Sequence, residues 1–140
     1  MSEARETRLF MISPRSTLTP DQLARMIHAY GAEALVKETC YGCLVEGPRE
    51  LVLSIRDRVR EGYPNEVFTK VRAYPSSDPR RCRAMHGTRP GYAQLEMEWE
   101  LLAKVQYGLE EVAKGAKYVP PEEKKRISVN DFKRICEVRR

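Results

Sequence analysis

Between residues 7 and 75 the chain alternates two hydrophobic periods in the order strand, helix, strand, strand, helix, strand, and few folds accept that order. Arg8-Leu9-Phe10-Met11-Ile12-Ser13 is a short apolar run of the kind buried on both faces at the centre of a sheet. A turn at Ser13-Pro14-Arg15-Ser16 ends it. The helix that follows carries a complete start signal: Thr19 as N-cap, Pro20 at the first helical position, and Gln22 placed to reach back as a capping box. Leu18 and Leu23 occupy hydrophobic-staple positions, and Leu23, Met26, Ile27 and Tyr30 recur at helical spacing. Gly31 is expected to end this helix in the left-handed conformation.

Glu33 to Cys40 and Cys43 to Glu46 read as two strands joined through Tyr41-Gly42, a tight hairpin stopped by Gly47-Pro48. From Arg49 to Glu61 an amphipathic helix aligns Leu51, Val52, Ile55 and Val59, and Gly62 closes it. The β-branched and aromatic run Val67 to Tyr74 is the last strand, ended by Pro75. Two split β-α-β units with right-handed crossovers predict an α+β, ferredoxin-like βαββαβ sandwich. In it a four-stranded antiparallel sheet is backed by two helices, with the first strand central and the last at an edge. This fold hosts many functions and names no chemistry.

The domain organisation follows from where the pattern breaks. Residues 6–75 form the core and 76–91 an arginine- and cysteine-bearing loop; residues 92–115 form an additional C-terminal helix packed on the domain, and 116–140 a linker with a short amphipathic tail. Three prolines and two glycines within residues 75–91 exclude regular structure there, and long loops of this kind are enriched in function. The helix after it lines up Leu95, Trp99, Leu102, Val105, Leu109 and Val112 as one apolar stripe, with Glu96, Glu98, Glu100, Glu110 and Glu111 on a solvated outer face. In the tail, Ser128 to Val138 makes an amphipathic helix with Phe132, Ile135 and Cys136 inward, after a proline-containing linker suited to loose docking or to a partner.

The net charge of +5 sits in two places. Residues 76–91 carry four basic groups against one acidic and residues 118–140 seven against four, each +3, while residues 92–117 carry three against five, −2, and residues 1–75 eleven against ten. Wrapping of duplex nucleic acid calls for a denser basic face, so that role ranks second. Arg80, Arg81, Arg83 and Arg89, with Cys82 and His86 among them, form the leading candidate site for a protein partner or an anion. Guanidiniums held this close repel one another unless an anionic partner offsets the repulsion, and each forms forked bonds to carboxylate or phosphate. If exposed, Cys82 among the arginines would have a lowered pKa, which makes it a candidate ligand or reactive thiol.

Cys40-Tyr41-Gly42-Cys43 is a second candidate, a place where two thiolates could share a metal ion. Further soft ligands would have to come from Cys82, Cys136, His28 or His86, and no second C-x-x-C exists. Small residues packing at a turn explain the pair more simply, so no metal and no cofactor is expected, and Cys40, Cys43 and Cys82 stand as the candidate ligands of a metal or iron–sulfur carrier. Two histidines, no phosphate-binding glycine loop and no paired carboxylates away from helix surfaces argue against an enzyme. An RNA- or anion-binding reading would use an open sheet face with Phe10, Phe68 and Tyr74 as stacking rings. No run approaches the ~20 apolar residues of a membrane span, and Met1 to Arg8 has no signal-peptide stretch, so a cytoplasmic protein with reduced thiols and no membrane role is expected.

Pro79-Arg80-Arg81-Cys82-Arg83 with Arg89-Pro90-Gly91-Tyr92 and Gln94-Leu95-Glu96, together with Glu6-Thr7-Arg8-Leu9-Phe10-Met11-Ile12-Ser13-Pro14-Arg15 and Lys37-Glu38-Thr39-Cys40-Tyr41-Gly42, resembles the methanogenesis marker protein 6 family of methanogenic archaea. The resemblance covers about residues 6–110 and is most specific in the arginine loop. It implies a role beside methyl-coenzyme M reductase, the nickel-cofactor enzyme that releases methane, in its assembly, maturation or activation through protein–protein contacts. It also implies that Cys43 is incidental, since that position in the family can hold a small residue such as alanine.

Overall fold

The computed structural model describes residues 4–72, 74–77 and 92–137, with residues 92 and 93 described by their backbone. Its elements are β1 (Arg5–Ile12), α1 (Pro20–Tyr30), β2 (Leu35–Thr39), β3 (Gly42–Pro48), α2 (Arg49–Gly62), β4 (Val67–Val71), α3 (Tyr92–Ala113) and α4 (Val129–Glu137). The four strands make one antiparallel sheet in the order β2-β3-β1-β4, the ferredoxin-like arrangement with β1 central and β4 at an edge.

Strand β1, paired with β3 on one side and β4 on the other, is covered on both faces, and its Leu9, Phe10, Met11 and Ile12 are all buried. Phe10 and Ile12 point to the layer of α1 and α2, where they join Leu23, Ile27, Val45, Val52, Ile55 and Val59 in the main core. Leu9 and Met11 point the other way. With Tyr41 and Leu44 they form a second core, closed by Leu95, Trp99 and Leu102 of α3. The sheet is therefore sandwiched between α1 and α2 on one face and α3 on the other.

Helix α1 starts as its sequence dictates. Thr19 Oγ1 accepts from Gln22 N, and Gln22 Oε1 accepts in return from Thr19 N at 3.0 Å. Gly31 has φ −162°, extended rather than left-handed. The position lies against α2 instead: a Cβ would sit 2.9 Å from Leu51 Cδ1 and 3.0 Å from Ile55 Cδ1, the ends of two side chains that would have to shift.

The hairpin differs by one residue from the expected one. Thr39 pairs with Gly42, which makes Cys40-Tyr41 the connection and places Gly42 inside β3. Its φ is +151°, and a Cβ would lie 2.1 Å from the Phe10 carbonyl oxygen, so the glycine serves a close approach of β3 to β1. Strand β4 stops at Val71, short of Tyr74. One further bond, Arg72 N to Thr7 O at 2.8 Å, follows before the chain leaves the edge.

The apolar stripe expected along α3 divides in two. Leu95, Trp99 and Leu102 pack on the sheet and the buried Gln106 continues their face, whereas Val105, Leu109 and Val112 lie on the neighbouring arc of the helix and are exposed. In α4, Phe132, Ile135 and Cys136 are exposed rather than inward: no described residue from 112 to 137 is buried. No described helix is long and apolar enough to cross a membrane.

Candidate functional site

The leading candidate residues, Arg80, Arg81, Cys82, Arg83, His86 and Arg89, lie outside the described residues. The segment that enters their loop is described, and it is held tightly. After β4 the chain crosses to β3, where the Ser76 N–H donates to Glu46 Oε2 at 2.6 Å and the Ser76 carbonyl accepts from Lys37 Nζ at 3.0 Å. Ser76 is buried. The Arg72 guanidinium stacks over the Tyr74 ring at 6.0 Å on the way. Glu46 follows Leu44 by two residues on β3, so both share the sheet face that α3 covers. The loop thus leaves from that face, and α3 continues the chain on it.

The backbone and side-chain hydrogen bonds from Ser76 hold the Glu46 carboxyl below the ordinary glutamate value, with a smaller contribution from Arg5 at 3.5 Å. A lowered folded-state pKa means stability present above the usual value near 4.5 and lost as pH falls below it. Acidification below pH 4.5 is therefore expected to release the loop root before the sheet opens, read as loss of exchange protection at the Ser76 amide, and Glu46→Gln should weaken that protection at neutral pH. Protection at Ser76 that is indifferent to both changes would exclude the clamp.

At the hairpin the two cysteines have different fates. Cys40, in the connection, is exposed. Cys43, on β3, faces the main core beneath α1, and its Sγ donates to the Pro20 carbonyl at 3.5 Å. Burial, and then the charge of Glu38, push its thiol from 9.0 up to about 12. A buried thiol held in its neutral form is a poor metal ligand, so the spacing that suggested a pair instead alternates the sulfurs between surface and core. Among the described residues no group of three or more His, Cys, Asp or Glu side chains is arranged to hold a metal ion. His28 is exposed in the last turn of α1, and Cys82 lies outside the described residues.

A thiol reagent at neutral pH should label Cys40 in the native chain and Cys43 only after unfolding, as read by mass spectrometry; native labelling of Cys43 would contradict its placement. Cys43 also carries a pH dependence. The unfolded thiol ionises near 9.0 and the folded one near 12, so the folded state keeps its full stability below pH 9 and loses it as pH climbs from 9 toward 12. Wild type minus Cys43→Ala, compared by urea midpoint, isolates that decline from the tyrosines and lysines that ionise in the same range.

Two concavities flank these elements. One, of about 160 Å³, lies where β1 gives way to α1 and is lined by Ser13, Ser16, Pro20, Cys40, Tyr41 and Trp99. Trp99 builds its wall: Nε1 donates to the Ile12 carbonyl at 2.8 Å and the indole packs on Tyr41 at 4.9 Å between centroids. The nearby α1 N-terminus offers little to an anion, because Thr19 already caps it and Pro20 has no N–H. The other, of about 490 Å³, runs along the β4 edge between Arg60, Phe68, Thr69 and Leu109.

The rings considered for base stacking do not share a face. Phe10 pairs with Thr69, and Phe68 with Met11, so Phe10 enters the main core while Phe68 lies on the opposite side, and Tyr74 is beyond the end of β4. The face itself is occupied by α3. Sequence reasoning also missed the Glu46–Ser76–Lys37 clamp, for which no local pattern exists, and the tie from Arg15 to α3, where Arg15 meets Glu110 at 3.4 Å and stacks over Tyr107 at 6.0 Å.

Residues 9–110 match the model of DUF2102, an uncharacterized protein family conserved in archaea. The chain belongs to the DUF2102 family. An uncharacterized protein of Methanocaldococcus jannaschii, MJ0498, is 35% identical over 147 residues, covering 95% of this chain and 93% of the relative. The DUF2102 match runs from β1 into α3 and so takes in the sheet, both of its helices, the arginine loop and the greater part of the covering helix. No solved structure matches the chain.

Proposed function

We propose that this DUF2102 protein is a non-enzymatic accessory factor of methanogenesis that acts in assembly, maturation or activation of methyl-coenzyme M reductase through protein–protein contacts. The observation that carries the reading is the arginine sequence Pro79 to Arg83, which bears the resemblance to the methanogenesis marker protein and begins three residues after a buried, doubly clamped Ser76. Rooting a recognition loop on a rigid sheet reduces the entropy lost on binding. The archaeal family and the relative in Methanocaldococcus jannaschii are consistent with the organisms that the resemblance implies. The stock of catalytic groups is small, with two histidines, of which His28 stands exposed on α1.

The contact is with an acidic protein surface. Arg80, Arg81, Arg83, His86 and Arg89 supply the forked and charged donors, and Cys82 lies among them. An anaerobic pull-down from a methanogen, read by mass spectrometry, is expected to recover a reductase subunit or an activation component. The Arg80→Ala, Arg81→Ala, Arg83→Ala triple variant is expected to lose it by at least tenfold, about 1.4 kcal/mol. Recovery of neither sinks the functional reading, and capture unchanged in the triple variant sinks the role of the loop.

A further inference from the structure

Strand β4 is an edge of the sheet, and the bonds at its two ends fix which of its backbone groups point outward. Ser13 N donates to Glu66 O at 2.7 Å, and Arg72 N to Thr7 O at 2.8 Å. Bonded positions recur at every second residue of an antiparallel ladder, so Glu66, Phe68, Lys70 and Arg72 turn their N–H and C=O groups to β1. Val67, Thr69 and Val71 turn theirs outward. Val67 N donates to Tyr63 O at 3.3 Å, which leaves the Val67 carbonyl and both groups of Thr69 and Val71 without a backbone partner among the described residues. Val71 is 59% exposed, so this stretch meets solvent.

Edges are commonly blunted by a lysine that projects past the strand or by a covering element. Here Lys70 is drawn onto α3 by its ion pair with Glu98, and α3 lies on the sheet face. What borders the edge is the groove of about 490 Å³. Val67 and Thr69 share the face of Phe10 and Ile12, on the α2 side, while Phe68 and Leu109 line the α3 side, so the groove straddles the edge itself. Its two sides differ in chemistry. The α3 side is apolar, and the α2 side carries Arg60, exposed and without an ion pair among the described residues. Asp57, which feels the charge of Arg60, is bonded to Arg56 instead.

We infer that β4 accepts an extended segment of another protein as an added strand, with an acidic side chain beside Arg60 and an apolar one against Phe68 and Leu109. An extended backbone presents donors and acceptors at the two-residue repeat of Thr69 and Val71. Its side chains then alternate between the faces: the residue opposite Thr69 lies on the side of Arg60, and the one opposite Phe68 on the side of Leu109. Charge excludes the nearer occupants. A second copy of β4 reads Val-Phe-Thr-Lys-Val and brings no acid to Arg60, and two-fold pairing about Thr69 would set Lys70 opposite Phe68. The chain's own residues 76–91 carry four basic groups against one acidic, the wrong sign for that position.

A phage library of random short peptides, panned on the full chain, is expected to return acidic and apolar residues in alternation. The consensus, made as a synthetic peptide, should protect the Thr69 and Val71 amides from exchange, whereas those of Phe68 and Lys70 are protected by β1 beforehand. Methylating the peptide nitrogens one at a time should weaken binding about tenfold at every second position and little in between. Arg60→Glu, at an exposed position, should keep the urea midpoint, weaken the peptide about tenfold and turn the selected charge from acidic to basic. No enrichment, a consensus without acids, or binding that survives Arg60→Glu overturns the inference. So do Thr69 and Val71 amides protected in the free chain, which would place a second copy or the chain's own loop on the edge. The peptides contain no reductase component, so this result is independent of the arginine-loop contact.

Discussion

Gly42→Ala is expected to remove roughly 4 kcal/mol of stability, a large share of the 5–15 kcal/mol that holds a domain of this size together. The added Cβ would fall 2.1 Å from the Phe10 carbonyl oxygen and 3.4 Å from the Met11 Cα, both backbone atoms of the central strand. No rotamer relieves that contact. At φ +151° the alanine is strained even without a neighbour. To make room, β3 must part from β1 at Met11↔Gly42 and Phe10↔Cys43, which also loosens the bond from Ile12 N to Tyr41 O at 2.7 Å. Gly62→Ala is the control: no atom lies within 4 Å of its Cβ, and at the end of α2 alanine should be neutral or stabilising by up to about 1 kcal/mol. Urea midpoints measure both, and a Gly42→Ala midpoint equal to wild type would refute the close approach.

Trp99→Ala is expected to cost about 3 kcal/mol, the low end for a tryptophan because the side chain is half-buried. Its loss removes the ring packed on Tyr41, leaves the Ile12 carbonyl without its indole donor, and uncovers Leu9, Met11 and Leu44. Trp99→Phe keeps most of the apolar contact and gives up the hydrogen bond, for about 1 kcal/mol. The two variants separate in a second measurement: an environment-sensitive dye should bind the alanine variant, whose second sheet face is exposed, and not the phenylalanine one. If α3 were only loosely apposed, Trp99→Ala would shift the midpoint by less than about 0.5 kcal/mol.

Both predictions rest on β1, and β1 shows how far the residues speak for themselves. Four consecutive buried apolar residues, Leu9 to Ile12, announce a strand covered on both faces. What covers the second face was less legible. The α3 sequence has apolar residues around more than half of its circumference, and its periodicity reads as a single stripe. Only contact with the sheet separates Leu95, Trp99 and Leu102 from the exposed Met97, Leu101, Val105, Leu109 and Val112. The glycines show the same division. Gly31 and Gly42 were legible as special positions, and their usual turn roles were expected, but both answer to a neighbour distant in sequence, α2 in one case and β1 in the other. The cysteines follow suit: a C-x-x-C spacing does not say that one sulfur lies in the core and the other at the surface.

The sequence by itself determined the order of elements, the capped start of α1, the alternation that sends Phe10 and Ile12 to one core and Leu9 and Met11 to the other, and where the positive charge is concentrated. Those properties are local, set by backbone propensity, side-chain period and composition, and they are complete before the chain folds. The tertiary structure decided the clamp of Glu46 and Lys37 on Ser76, the covering of the second sheet face by α3, the neutral buried thiol of Cys43 and the uncovered apolar band that faces away from the sheet. Each of these depends on pairs of residues tens of positions apart, and the free energy of such a pair exists only once the sheet has brought its members within contact distance.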